Sequence, residues 1–198
     1  MSAAVEEERI ALDVHAHLAP VLADRLGAIS GVDWSDDAGA HTIDGYTLAA
    51  KSVYRPEALL AWMDEHRVDR AWISIPPPLY RLGLDEAAMR AWTDYANAGL
   101  DMLAAQRPDR LAPLYHLPVT QPALAAEVVT ERAKTGKARF AMPAGSQDHK
   151  VVLSDPAYGA LWAALNAARA FLFLHPCKGC DPRVSFSRLS ARGTHISA

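Results

Sequence analysis

Only two of the 198 residues are cysteine, Cys177 and Cys180, too few for a disulfide framework. Long apolar runs are also missing. No stretch approaches the roughly 20 residues needed to span a bilayer, so no membrane partner is expected. Charge of one sign is scarce: the formal net charge is −3 and no basic run stands out, which argues against a nucleic-acid partner. The opening segment MSAAVEEERI is acidic and lacks the basic-then-apolar pattern of a secretion signal, so the expected location is cytoplasmic. No repeat or low-complexity segment is present. No glycine-rich phosphate loop follows any predicted strand, which weighs against nucleotide binding.

What remains is the composition of an ordinary soluble domain, 51% hydrophobic and 22% charged, long enough to bury a sizeable core. Short apolar runs alternate with amphipathic stretches. The pattern predicts strands over residues 10–14, 71–75, 110–117, 138–142 and 170–174, the last leading into His175. Between them it predicts helices from Pro56, from about Asp85, from Pro122 to about Lys134 and from Asp155, with Pro56, Pro122 and Pro156 in first-turn positions. Residues 20–54 carry Gly31, Gly39, Gly45 and several Asp, and read as a loop or small insertion. Trp62, Trp72, Trp92 and Trp162 are expected in the core. Continuous apolar strands between amphipathic helices imply a parallel sheet covered by helices. Periodicity alone does not separate an open doubly wound sheet from a closed barrel.

The strongest chemical pattern is DVHAHLAP, residues 13–20. Side chains alternate along a strand, so His15 and His17 share one face and can share one cation. The competing reading is a chance pair on a surface loop. A second pattern is FLFLHP, an apolar strand ending in His175. A buried imidazole needs a partner, either a metal or a backbone carbonyl. Both patterns fall at strand C-termini and both supply neutral nitrogen, and together they favour a metal site. His116 ends the third predicted strand, where it faces the same rim. Cys177 and Cys180 have CxxC spacing, but no second pair completes a zinc site.

Several segments in order resemble the amidohydrolase-related family typified by aminocarboxymuconate-semialdehyde decarboxylase and gamma-resorcylate decarboxylase. They are the HxH of His15 and His17, RPEALLAWMDEHRVDRAWIS (55–74), PDRLAPLYHLPVTQP (108–122), and LSDPAYGALWAAL (153–165) followed by His175 and Pro176. The resemblance implies an α/β fold, a partial (β/α)8 TIM barrel of about the first five βα units, binding one divalent metal through His15, His17 and His175. Imidazole ligands put zinc first and manganese second. It further implies a carboxy-lyase acting on a small aromatic or unsaturated carboxylate, with hydrolysis of a small cyclic substrate, or a non-catalytic scaffold, as alternatives. Lys51 and Arg55, beside the loop that covers the site in that family, and His116 are the candidate substrate contacts. The resemblance leaves room for a homodimer.

The family's remaining ligand, an aspartate after strand eight, and its acid/base histidine after strand six have no resembling segment here. Barrels of this type usually need about 250 residues, and the last stretch reads PRVSFSRLSARGTHISA. Neither Asp181 nor His195 lies where those roles require. The catalytic residues therefore stay unassigned. The expectation is a truncated or frame-shifted product with a barrel fragment over residues 1–182, an irregular tail over 183–198, exposed edges at the first or fifth strand, and little activity.

Overall fold

A computed structural model describes residues 9–146 and 151–176. Five parallel strand positions alternate with helices. The first sheet has the order β1 (Asp13–His17), β5 (Ala71–Ser74), β6 (Leu111–Pro113); the second has β7 (Tyr115–His116), β8 (Arg139–Pro143), β9 (Phe171–His175). β6 and β7 are two parts of one extended segment that breaks at Leu114. Its lower part pairs with β5 and its upper part with β8. The chain is thus α/β with parallel sheets.

Each strand has an outer face against helices and an inner face. On the outer side, Ala71, Ile73, Phe140 and Met142 are fully buried. One core packs the first sheet against α2 (Pro56–Glu65) and α3 (Glu86–Ala105), with Met63, Trp92 and Leu100 at its centre. The other packs the second sheet against α4 (Pro122–Ala133) and α5 (Gly159–Ala167), around Val129 and Leu161. Pro56 and Pro122 start their helices, where a missing N–H costs nothing. Asp85 caps α3 by accepting the Ala88 amide at 2.9 Å. Asp101 on α3 accepts from Tyr115, Arg132 and Lys137, tying α3 to β7 and α4. Burial would raise that carboxyl, but the three hydrogen bonds outweigh it and hold Asp101 below the usual carboxylate range.

The structure departs from the sequence reading in several places. The first strand is Asp13–His17, so the two histidines lie within it; Ile10 makes only an isolated bridge to Val68. Residues 20–54 are a structured insertion: a short helix α1 (Ala23–Leu26), an antiparallel sheet of β2 (Val32–Ser35), β3 (Ala40–Ile43) and β4 (Tyr46–Thr47), and a 3-10 turn Lys51–Tyr54. Its alternation is too short to register as strands. Asp155 caps a 3-10 turn, Pro156–Tyr158, ahead of α5. Of the four tryptophans expected in the core, Trp92 is fully buried and the half-buried Trp62 and Trp162 pack against the two cores, while the half-buried Trp72 belongs to neither. Residues 183–198 lie outside the described residues. β1 and β9 are the outer strands of their sheets, and Leu12 just before β1 and Phe171 and Leu174 in β9 are exposed.

The segment leaving β1 packs against α3. A Cβ on Gly99 would sit 2.2 Å from Pro20 Cβ and 2.8 Å from its Cγ. Gly99→Ala gains about 1 kcal/mol of helix propensity but overpacks a tight contact, at about 1–3 kcal/mol. A net loss of stability is expected, read as a lower urea midpoint with unchanged m. A raised midpoint would show that the two backbones have room to separate.

Candidate metal centre

Strands β1 and β9 are far apart in sequence and in sheet order, yet their inner faces meet. The Nε2 atoms of His15 and His17 are 3.2 Å apart, those of His15 and His175 3.0 Å, and those of His17 and His175 3.1 Å. β1 shifts register between Asp13 and Ala16. The His15 amide in that irregular stretch donates to Asp13 Oδ1 at 2.8 Å, so the Asp13 carboxylate satisfies a group the ladder leaves free. The irregularity sits beside His15 and helps aim it at His17.

Three Nε2 atoms in a triangle cannot all be hydrogen-bonded to one another. Each is either N–H or lone pair, so at least one edge sets like against like. The other ring nitrogens sharpen the conflict. His175 Nδ1 is 2.6 Å from the Pro176 carbonyl, which only accepts, so the proton sits on Nδ1 and Nε2 carries a lone pair. Ser74 Oγ donates to the Ala16 carbonyl at 3.4 Å and can accept from His17 Nδ1 at 3.1 Å, leaving His17 Nε2 a lone pair as well. Burial, then the neighbouring His175 and His15 rings, push the His17 imidazole down from 6.5 to about 4. Burial also lowers His175. His17 and His175 are therefore held neutral, with Nε2 lone pairs aimed at the point that His15 Nε2 also faces. That is the donor set a cation requires, held from behind as metal-binding imidazoles are. The edges fit one too. Ligands about 2.1 Å from a metal are about 3.4 Å apart in a tetrahedron and about 3.0 Å apart at right angles. Among the described residues, this is the one cluster of His, Cys, Asp or Glu able to hold a metal.

Phe173 lies 4.8 Å from the His15 ring, and Tyr80 stands edge-on to His175 at 5.9 Å. Sequence reasoning singled out neither, nor Ser74; a serine closing an apolar strand at His17's level was the available clue. His116 is on the inner face, since it pairs with Ala141, which is level with Phe173. Lys51 is exposed at the start of its 3-10 turn. Arg55 is exposed and 3.4 Å from Glu57. Neither is brought against the triad. His41 is buried in the insertion, bonded to the Pro20 carbonyl at 2.9 Å. Cys177, Cys180, Asp181 and His195 lie outside the described residues.

No protein-family model and no curated protein sequence matches the chain. Solved structures do match its fold. An amidohydrolase II shares 22% identity at a TM-score of 0.63, over 89% of this chain and 54% of that one. A 2,6-dihydroxybenzoate decarboxylase from Rhizobium shares 20% at 0.61, over 94% and 55%. A dihydroxybenzoic acid decarboxylase from Polaromonas sp. JS666, with bound manganese and the inhibitor 2-nitroresorcinol, shares 23% at 0.62, over 93% and 53%. The chain spans about half the length of the solved structures it matches. Among the described residues no helix is long and apolar enough to cross a membrane.

Metal-free protein should lose stability in mild acid. Burial also lowers His116, to about 3, against about 4 for His17. Above about pH 6.5 neither state binds these protons and the two groups contribute nothing. Below that, the unfolded chain takes them up and the folded chain does not. Stability therefore falls as pH drops from about 6.5 to about 4, and more gently to about 3. Urea midpoints of chelator-treated protein across this range, with His116→Phe giving a shallower fall, test the point. A flat profile contradicts neutral burial.

Proposed function

We propose that the described residues are the first five βα units of a (β/α)8 barrel, and that His15, His17 and His175 hold one divalent metal in a carboxy-lyase for a small aromatic or unsaturated carboxylate. The observation that carries this is the convergence of three imidazole nitrogens from opposite ends of the sheet order. A divalent cation bound there supplies Lewis-acid polarisation of a substrate oxygen and a charge for its carboxylate. The chain's own residues do the rest. Pro176 and Ser74 fix the ring orientations of His175 and His17, while Phe173 and Tyr80 wall the site with ring surfaces that suit a flat substrate. Lys51, Arg55 and His116 are the residues proposed to meet that substrate. Zinc is favoured by an all-imidazole set. Manganese is the second choice, supported by its presence in the Polaromonas decarboxylase. The enzyme would work in the cytoplasm, alone or as a homodimer.

The decarboxylases among the matched structures support loss of CO2; the amidohydrolase II supports a second reading, hydrolysis of a small cyclic substrate by the same three ligands.

Chelator-stripped protein reloaded with equal zinc and manganese should retain about one equivalent of metal per chain, zinc in excess. His15→Ala, His17→Ala and His175→Ala should each abolish stoichiometric binding. A Cys177→Ala/Cys180→Ala double variant should keep it. Metal lost only in the cysteine variant would move the site and remove the basis for the reading. Carboxyl-labelled 2,6-dihydroxybenzoate tests the lyase, through labelled CO2 above the His15→Ala background, and a small cyclic amide such as hydantoin tests the alternative, through ring opening above the same background.

A further inference from the structure

The parallel strands part company at the end opposite the histidines. Leu111–Pro113 of β6 pair with β5 alone, and pairing with β8 begins only at Tyr115, opposite Phe140. Below that point β6 and the start of β8 are not joined, and a cavity of about 310 Å³ opens beside them. That is the low end of the range for small-molecule sites. Part of its lining is apolar, from Ala104 and Ala105 of α3 and from Pro108 and Leu111 after it.

The rest of the lining carries charge. Arg70, Lys137 and Arg139 face one acid, Asp101. The chain as a whole carries −3, so the cavity reverses the sign locally. Asp101 is already committed: it accepts from the Tyr115 hydroxyl, from Arg132 at 2.6 Å and from Lys137 at 2.9 Å. Its bond holds Lys137 above the ordinary lysine value, so that ammonium stays charged. Neither arginine has a carboxylate partner among the described residues. Arg139 sits in the split itself. Its Nε donates to the Pro113 carbonyl at 3.5 Å, and its guanidinium lies 5.4 Å from the Trp72 ring. That long bond occupies one of five N–H donors. A half-buried guanidinium without a counter-ion is costly, and contact with an aromatic face offsets only part of the cost. Arg70 is exposed, and its side chain has neither a hydrogen bond nor an ion pair among the described residues.

We propose that this cavity binds the phosphate group of a small phosphomonoester, held by Arg139 and Arg70. Cations in the lining exceed acids by two, three against one, which matches a dianion. A guanidinium fork suits phosphate oxygens, which can take two parallel N–H bonds. The apolar part of the lining suits an organic body on the ester. The cavity and the triad lie at opposite strand ends, so the proposal does not depend on the function proposed above.

The test titrates phenyl phosphate and inorganic phosphate into the metal-loaded full chain and into its His15→Ala variant, by calorimetry and by NMR of ¹⁵N-labelled arginine. Phenyl phosphate should shift the Arg70 and Arg139 Nε signals in both proteins, whereas phosphate held at the metal would be lost with His15. Arg139→Ala and Arg70→Ala should each weaken binding about tenfold, the size of one charge-assisted hydrogen bond. Arg139→Lys, which keeps the charge and loses the fork, should retain part of the affinity. Arg90→Ala removes the same charge from an exposed arginine paired with Glu127, and should leave binding unchanged. Weaker binding of inorganic phosphate supports the ester; equal binding of the two would overturn the ester in favour of free phosphate. No binding, binding lost in His15→Ala, or equal weakening in Arg90→Ala would overturn the site. Should Arg139→Ala fail to fold, Arg70→Ala at its exposed position and the labelled wild-type signals still decide.

Discussion

Mutual repulsion of nitrogen lone pairs is the constraint on which the functional half of this structure depends. Three imidazoles are driven together at about hydrogen-bond distance, yet the partners behind His17 and His175 leave no proton on the edge between those two. Such an arrangement is unfavourable without a cation and favourable with one. Holding it requires rigid support from both ends of the sheet order. β1 provides an irregular turn of register beside His15, secured by the Asp13 carboxylate, and β9 provides a straight five-residue ladder with β8 that ends at His175.

Stability comes from the opposite faces of the same strands. The outer residues of β5 and β8 are sealed under α2 to α5 in two apolar clusters, which supply most of the burial. The inner face is freer to carry polar groups. Its lower layer is built from Trp72, Phe171 and Arg139, with Phe171 edge-on to Trp72 at 4.9 Å and the Arg139 guanidinium 5.4 Å from the same ring. Above it lie Phe173 and His116, and then the triad with Ser74 and Tyr80. This division lets the helices hold the fold while the interior carries histidines that would be a burden in a packed core. The insertion between β1 and α2 is tied down separately. Arg81, its side chain 2% exposed, pairs with Asp44 at 2.7 Å and so joins the antiparallel sheet to the connection that carries Tyr80.

The elements legible in the sequence were those with strong periodicity or punctuation: the proline-started helices α2 and α4, the start of α3 near Asp85, and the apolar strands at β5, β8 and β9. Those missed were short. The strands of the insertion run four, four and two residues, below the length at which alternation stands out. The extended segment that serves two sheets reads as one strand, because its break at Leu114 depends on which neighbour each part pairs with. Tyr80 and Ser74 carry no motif; their place beside the triad comes from connections and register.

The sequence alone determined the alternating α/β order and the chemical identity of His15, His17 and His175 as neutral nitrogen donors at strand ends, because periodicity and side-chain chemistry are local properties. It could pair His15 with His17, since strand alternation fixes that relation over two residues. Only the tertiary structure brought His175 to them, a contact between residues 160 apart in the chain. It also set the protons on the far nitrogens of His17 and His175 and left the His116 ring nitrogens buried without a hydrogen-bond partner. Those properties depend on which carbonyls, hydroxyls and rings are packed around each imidazole, and packing is decided by the whole fold.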